Sequence, residues 1–360
     1  MLEMSKKIVH VVGTGTIGEP LIGLLSDYKA NLGIDEITFH KRTPLKSEHA
    51  KVLRLLKRGA RLVTDQEAFE GFQDIGLSPA FSTVEAIDRA AVVIDCTPKG
   101  VGHKNKVKYY HNFDHNTLGF IAQGSETGFG KPYARGINDE ALIQGEDRFL
   151  QVVSCNTHNL SSLVKTIGMH NGDPDNLLDG RFVMIRRAND LSQANDFIPA
   201  PEVGHHSSER YGTHHAKDAA NLFKTLGYDV NIFSSAMKLN TQYMHIVHFN
   251  IKMKEALTIP QVMEIFEKNP LVAITEKKLS SQVFSFGRDH GHYGRILNQT
   301  VVSAPSLQLI DGGKELVGFC FTPQDGNSLL SSISAATWFL YPNSYEQKIQ
   351  SLDDWFFDEV

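Results

Sequence analysis

The stretch Ile8-Val9-His10-Val11-Val12-Gly13-Thr14-Gly15-Thr16-Ile17-Gly18 decides the fold. Its first five residues are mainly apolar and read as a buried strand. A Gly-x-Gly-x-x-Gly turn follows at once, and behind it Pro20, Leu21, Leu24 and Leu25 form a helical pattern. In such a turn the first glycine permits the tight bend. The second lets a pyrophosphate reach the backbone, and the third lets helix lie on strand. Gly13, Thr14, Gly15, Thr16, Ile17 and Gly18 are therefore candidate dinucleotide contacts.

Moving outward, residues 36–39 read as a second strand that runs into His40-Lys41-Arg42-Thr43. A fold that takes NAD usually carries Asp or Glu at this point to bind the ribose hydroxyls. Lys41 and Arg42 stand there instead, and two cations attract a 2′-phosphate, so NADP as well as NAD is an expected cofactor. Residues 47–59 form a helical pattern, and Ser82-Thr83-Val84-Glu85 is a capping-box signature opening another helix. The apolar run 91–95 ends in Cys96-Thr97-Pro98-Lys99-Gly100. Thr97 and Gly100 would then face the carboxyl edge of the sheet, where cofactors bind. Strand and helix patterns alternate over ~150 residues, which argues for a parallel sheet.

The second half has a different texture. Residues 182–185, 230–235, 243–253, 301–309 and 316–322 read as strands, and 215–226 and 258–269 as helices capped by Thr213 and Thr258. This predicts an α+β unit with a mainly antiparallel sheet. The expected division is a dinucleotide-binding domain, 1–153 with 325–360, and a catalytic domain, 154–324. A last apolar helix from about residue 328 is expected to return to the first sheet.

The totals exclude several classes. A formal charge of −5 gives no support to nucleic-acid binding. Three cysteines, Cys96, Cys155 and Cys320, lie far apart, which argues against a disulfide framework or a metal site and for a reducing cytoplasm. Residues 1–7 are polar, so a secretory leader is not expected. No apolar run approaches the ~18 residues of a membrane span.

One cysteine stands apart. In Gln151-Val152-Val153-Ser154-Cys155-Asn156-Thr157-His158, an apolar strand gives way to a helical pattern (Leu160, Leu163, Val164, Ile167), and Cys155 sits at the junction. Unpaired N–H groups and the helix dipole favour a thiolate there. A nucleophilic cysteine beside a dinucleotide site predicts aldehyde oxidation through a thioester, with a histidine as base.

The chain resembles the archaeal-type (type II) glyceraldehyde-3-phosphate dehydrogenases. The resemblance is carried by Gly13-Thr14-Gly15-Thr16-Ile17-Gly18, Cys96-Thr97-Pro98-Lys99-Gly100-Val101-Gly102-His103-Lys104-Asn105-Lys106, Gln123-Gly124-Ser125-Glu126, Val152-Val153-Ser154-Cys155-Asn156-Thr157, Arg186-Arg187-Ala188, Thr213-His214-His215, Met244-His245 and Gln324-Asp325, in the family's order. It implies Cys155 as nucleophile and His245 as base. In an extended strand His245 and His248 face opposite sides, so only one reaches Cys155. The resemblance also implies a phosphate site at Arg186 and Arg187, one binding phosphate and the other free to form an ion pair. His214 and His215 would lie near the substrate with Ser154, Asn156 and Thr157, and Lys41, Asn105 and Gln324 near the cofactor. It further implies inorganic phosphate as acyl acceptor and a homotetramer.

Three departures bear on the substrate, one of them the loop Glu202 to Gly212, which is longer than is usual in the family. The family's cysteine motif usually continues Thr-Thr-Gly, whereas this chain has Thr157-His158-Asn159, and Val247 replaces a common second histidine. His158 is expected to supply a new donor or reshape the pocket. A dehydrogenase for another phosphorylated or semialdehyde substrate, and a cofactor-binding sensor without catalysis, stay open as alternatives.

Overall fold

The computed structural model describes residues 6–113, 115, 117–124, 126–190, 198–323 and 325–360. The chain divides into two compact units. The first comprises Met1–Tyr133, Leu142–Val152 and Leu329–Asp353, the second Ala134–Ala141, Val153–Ser328 and Asp354–Val360.

Among the described residues the first unit has eight strands: β1 (Ile8–Val12), β2 (Glu36–His40), β3 (Arg61–Thr64), β4 (Phe81–Ser82), β5 (Val92–Asp95), β6 (Gly119–Ala122), β7 (Lys131–Tyr133) and β8 (Phe149–Val152). They pair in the order β4-β3-β2-β1-β5-β6-β8-β7, every pair parallel. This is the expected α/β, Rossmann-like sheet. Every residue of β1 and β5 is buried, as suits central strands of a sheet covered on both faces. The strand order reverses between β1 and β5, and a reversal of this kind opens the crevice in which ligands bind. One core cluster stacks Tyr110 on Phe120 and Phe120 on Phe149, with centroids 4.9 and 5.1 Å apart. The returning C-terminal stretch is anchored in this unit by Gln123, whose amide donates to Ser332 Oγ at 2.9 Å, and by Tyr341, whose hydroxyl donates to the Gly33 carbonyl at 2.6 Å.

The second unit has its own sheet: β9 (Leu177–Arg186), β10 (Glu202–Val203), β11 (Ile232–Lys238), β12 (Ile246–Met253), β13 (Val272–Thr275), β14 (Thr300–Ser303), β15 (Gln308–Ile310) and β16 (Glu315–Phe321). The order is β10-β11-β9-β12-β16-β14-β13, with β15 on β16. Two pairs, β11–β9 and β13–β14, are parallel and the others antiparallel. Along β12, Val247, Phe249, Ile251 and Met253 point inward, the period-2 signature of a sheet with one packed face. They join the core beneath the helices Cys155–Leu163 and His214–Lys224.

Several expectations shift. The long strand begins only at Ile246, so His245 lies just outside it. The strand β13 and the helix Ser280–His290 were not foreseen. Thr258 caps its helix in a full box with Gln261. Thr213 caps nothing by itself. Its hydroxyl meets Ser234 Oγ at 2.6 Å, and that oxygen accepts the Ala216 N–H at 3.1 Å. The C-terminal aromatic residues belong to the second unit, where Phe357 packs edge-on to Phe286 and the Val360 N–H donates to the Ile274 carbonyl at 2.9 Å. Among the described residues no helix is long and apolar enough to cross a membrane.

Candidate active site

The glycine turn of the first unit has the shape a pyrophosphate requires. Gly13 holds φ +99°, and a Cβ there would stand 3.1 Å from the Cys96 carbonyl. A Cβ on Gly18 would lie 2.1 Å from the Gly13 carbonyl, so helix and strand can approach only without one. Above Gly15 there is open space. The helix that follows, Gly18–Asp27, has no side-chain cap at Ile17 among the described residues, although the Glu19 N–H already donates to the Gly15 carbonyl at 3.1 Å.

The next helix of the sheet edge, Val101–Lys108, is already spoken for. Buried Glu126 accepts the Gly100 N–H and, at 3.0 Å, the His103 N–H. Buried Asp95 collects the Thr97 N–H at 3.0 Å, the Thr97 hydroxyl, the Asn105 amide at 2.8 Å and the Tyr110 hydroxyl at 2.5 Å. Thr97, Gly100 and Asn105 therefore shape this edge while directing these donors inward. Lys41 follows the end of β2, Arg42 beside it is exposed, and Gln324 lies outside the described residues.

In the second unit Cys155 is the first residue of the helix Cys155–Leu163. Ser154 caps that helix, its Oγ accepting the Thr157 N–H at 3.3 Å and meeting Thr157 Oγ1 at 2.8 Å. The Cys155 carbonyl accepts from Asn327 at 3.0 Å, which staples the start of the helix Gly326–Leu340 to the nucleophile candidate. Burial pushes the Cys155 thiol up to about 12, reinforced by Asp325 and opposed by Arg187. The expectation that the helix start would favour a thiolate is thereby reversed. A rise from 9.0 to about 12 is worth roughly 4 kcal/mol, whereas a helix terminus supplies at most ~2 kcal/mol.

Arg187 is the hub of the site. Its guanidinium is buried, donates to Asp190 at 2.6 Å and to the Tyr243 carbonyl at 3.3 Å, and stands 3.7 Å from Asp325. Its backbone N–H donates to His245 Nδ1 at 3.0 Å. A ring that accepts at Nδ1 carries its neutral proton on Nε2. His245 is held in the neutral form by burial and then by Arg187 and Arg186. Of the adjacent arginines, then, Arg187 makes the ion pairs. Arg186 ends β9 half-buried, with no partner for Nε among the described residues.

His214 is exposed at the start of its helix, its ring 3.9 Å from that of His215. His215 is buried with neither ring nitrogen partnered among the described residues, and burial, then His214, Arg186 and His245, hold it neutral. Asp325 adopts φ +59°, and its Oδ2 is buried without a partner among the described residues. Such orphaned polar atoms are costly unless a ligand satisfies them. Asp325 lies in a stretch that carries the resemblance but was given no task by it, and Asn327 carried no sequence signal.

The two residues that depart from the family motif turn inward. His158 is fully buried, its Nδ1 3.0 Å from the Ser154 carbonyl. Asn159 donates to Thr322 Oγ1 at 2.8 Å and accepts from Cys320 Sγ at 3.2 Å, and Thr322 in turn donates to Asn156 Oδ1 at 3.1 Å. They pack the interior beneath the cysteine turn, and the expected new donor to a substrate is not what His158 provides. Burial lowers the His158 pKa from 6.5 to about 4. Its neutral form thus contributes stability that is complete above pH 6.5 and is lost as pH falls towards 4, about 3 kcal/mol in all. Unfolding free energy should fall across this window, and His158→Gln should reduce the pH slope by up to one proton. An unchanged slope in denaturant titrations between pH 7 and 4.5 would count against it.

No family model matches the chain. Curated archaeal relatives do. It is 28% identical to a glyceraldehyde-3-phosphate dehydrogenase 1 of Methanosarcina barkeri over 92% of each chain. It is 26% identical to a glyceraldehyde-3-phosphate dehydrogenase of Pyrobaculum islandicum, over 79% of this chain and 78% of that one. The corresponding protein of Sulfolobus acidocaldarius is 26% identical over 84% of each. The likeness to archaeal enzymes of this name thus extends over most of the chain.

Proposed function

We propose that the chain is an NAD(P)-dependent glyceraldehyde-3-phosphate dehydrogenase of the phosphorylating kind, acting through a thioester on Cys155. The observation that supports it most is the cluster within the second unit. A cysteine opens a buried helix, a carboxylate–arginine–histidine network surrounds it, and polar atoms of Arg186, His215 and Asp325 have no partner among the described residues. In this reading the first unit, which includes Leu329–Asp353, serves the cofactor, and the second, which includes Asp325, Asn327 and Asp354–Val360, serves the chemistry.

Cys155 Sγ attacks the aldehyde carbon, and its proton passes to His245, the assigned base. To receive it at Nε2 the ring must move its own proton to Nδ1 and release the Arg187 N–H. Once it carries the thiol's proton, the ring presents Nε2–H, a donor suited to the oxyanion of the hemithioacetal. Arg186, with His214 and the neutral His215, takes the substrate phosphate, and its planar fork donates two bonds at once. Ser154, Asn156 and Thr157 hold the turn in place through their internal bonds. Gly13 to Gly18 would hold the pyrophosphate of the dinucleotide, whose nicotinamide would supply the hydride acceptor that the thioester requires. Inorganic phosphate then attacks the thioester carbon, expels the Cys155 thiolate and leaves as an acyl phosphate. A homotetramer in the reducing cytoplasm completes the proposal, consistent with three cysteines that are all free.

A panel of phosphorylated aldehydes and semialdehydes, run with each dinucleotide and with or without inorganic phosphate, tests this reading. Phosphate-dependent reduction of the dinucleotide by glyceraldehyde 3-phosphate is expected. Turnover of a semialdehyde alone would reassign the substrate. Dinucleotide binding with no turnover would point to a sensor.

A further inference from the structure

The end of β2 lacks the acid that a ribose diol calls for, yet the fold delivers one from farther along the chain. Glu48 ends the short 3-10 turn Lys46–Glu48 ahead of the helix His49–Lys57. Its Oε2 lies 2.7 Å from Lys51 Nζ and 3.3 Å from Lys41 Nζ. Lys41 comes from the end of β2, where a Rossmann sheet meets the adenosine ribose. Lys51 Nζ also donates to the Thr14 carbonyl at 3.4 Å, so this pair is tied to the glycine turn itself, and it stands 3.7 Å from Glu19. Burial works to raise the Glu48 carboxyl, but Lys51 and then Lys41 hold it below the ordinary value, as a carboxylate set between two ammonium groups should be.

Resting on the dinucleotide reading above, we infer that Glu48 sets the choice between NAD and NADP. Its carboxylate accepts the 2′-hydroxyl of NAD, and its seat between Lys41 and Lys51 is the one the 2′-phosphate of NADP takes when Glu48 withdraws. A ribose hydroxyl needs an acceptor, and Glu48 is the carboxylate that lies against both Lys41 and Lys51. A phosphate brings more charge and three acceptor oxygens, and outcompetes one carboxylate for the two ammonium groups. Glu48 is 29% exposed at its side chain, so it can turn into water without leaving a buried charge behind. The surrogate anion thus keeps both lysines paired while NAD is bound and yields them to NADP. Nothing in the local sequence marks Lys51 for this task, because only the fold brings the start of the second helix over the glycine turn.

Calorimetric titration of NAD and NADP into the full-length protein without substrate tests the assignment. Glu48→Gln keeps the size and removes the charge. NAD affinity should fall about tenfold, the cost of a charge-assisted acceptor, while NADP affinity is maintained or rises. Lys51→Gln should weaken NADP by about tenfold and NAD by less than about threefold, and Lys51→Arg should restore most of the NADP affinity. An NADP-to-NAD affinity ratio that stays within about twofold of wild type in Glu48→Gln would overturn the inference. So would equal weakening of both dinucleotides in Lys51→Gln, which would make Lys51 only a strut for the Thr14 carbonyl. Those outcomes leave the dinucleotide reading intact. A wild-type protein that binds neither dinucleotide would remove that reading and this inference with it.

Discussion

Replacing Cys155 by serine is expected to lower kcat by roughly 10⁴-fold or more, with dinucleotide affinity close to that of wild type. The size of the loss follows from the site. The thiol is already held near 12 by burial and by Asp325, and Arg187 only partly compensates. A serine hydroxyl in the same place is a far weaker acid and nucleophile, so no acyl-enzyme should accumulate in a single-turnover mixture. Cofactor affinity should survive, because the glycine turn belongs to the first unit and Cys155 to the second. Full turnover by the serine variant would sink the thioester mechanism. The same electrostatics predict how the resting thiol titrates. At neutral pH it is protonated, so alkylation by iodoacetamide should be slow and should accelerate as pH rises. Asp325→Asn removes an anion that raises the thiol, and the alkylation profile should move to lower pH. A profile that does not move would mean that burial alone sets it.

Arg187→Met should be the most destabilising substitution at the site, costing about 3–5 kcal/mol and abolishing measurable turnover. One guanidinium serves two carboxylates and a carbonyl at once, in a buried position. Its removal leaves Asp325, itself buried, without its neutralising partner, whereas the more exposed Asp190 can recover water. Lysine should rescue little, since a single ammonium point cannot reproduce the fork. The double variant Arg187→Met/Asp325→Asn should recover part of the loss, because the stranded charge is gone as well. Urea unfolding of the four proteins, analysed as a double-mutant cycle, gives the coupling directly. If the arginine variant unfolds at the wild-type urea concentration, the network is not what holds this turn together. Arg186→Met should behave differently, with near-normal stability and a raised KM for phosphorylated substrate.

Much of this was legible from local patterns. The glycine turn needs only its own residues and the strand and helix beside it, and strand Ile8–Val12 and helix Gly18–Asp27 stand on either side of it. Alternating elements imposed the parallel sheet. Ser82 and Thr258 cap helices as their spacing predicts, since a cap is a contact over three residues. Other features depend on residues far apart in the chain. The β13 strand is short and finds its parallel partner, β14, some thirty residues later, so no local periodicity announces it. Adjacent Arg186 and Arg187 are equivalent on paper, and it is Asp190, three residues on, together with Asp325 from far along the chain, that makes Arg187 the ion-pair hub.

The sequence by itself determined that a dinucleotide fold precedes a cysteine at a strand–helix junction, because glycine turns, strand periods and helix starts are short-range physics. Only the tertiary structure decided that His158 and Asn159 face the interior, that His245 accepts from a backbone N–H, and that Glu48 sits between Lys41 and Lys51. The physical reason is the same in each case. Burial, tautomer and charge pairing are set by whichever groups the fold brings across from distant segments, and spacing along the chain carries no record of them.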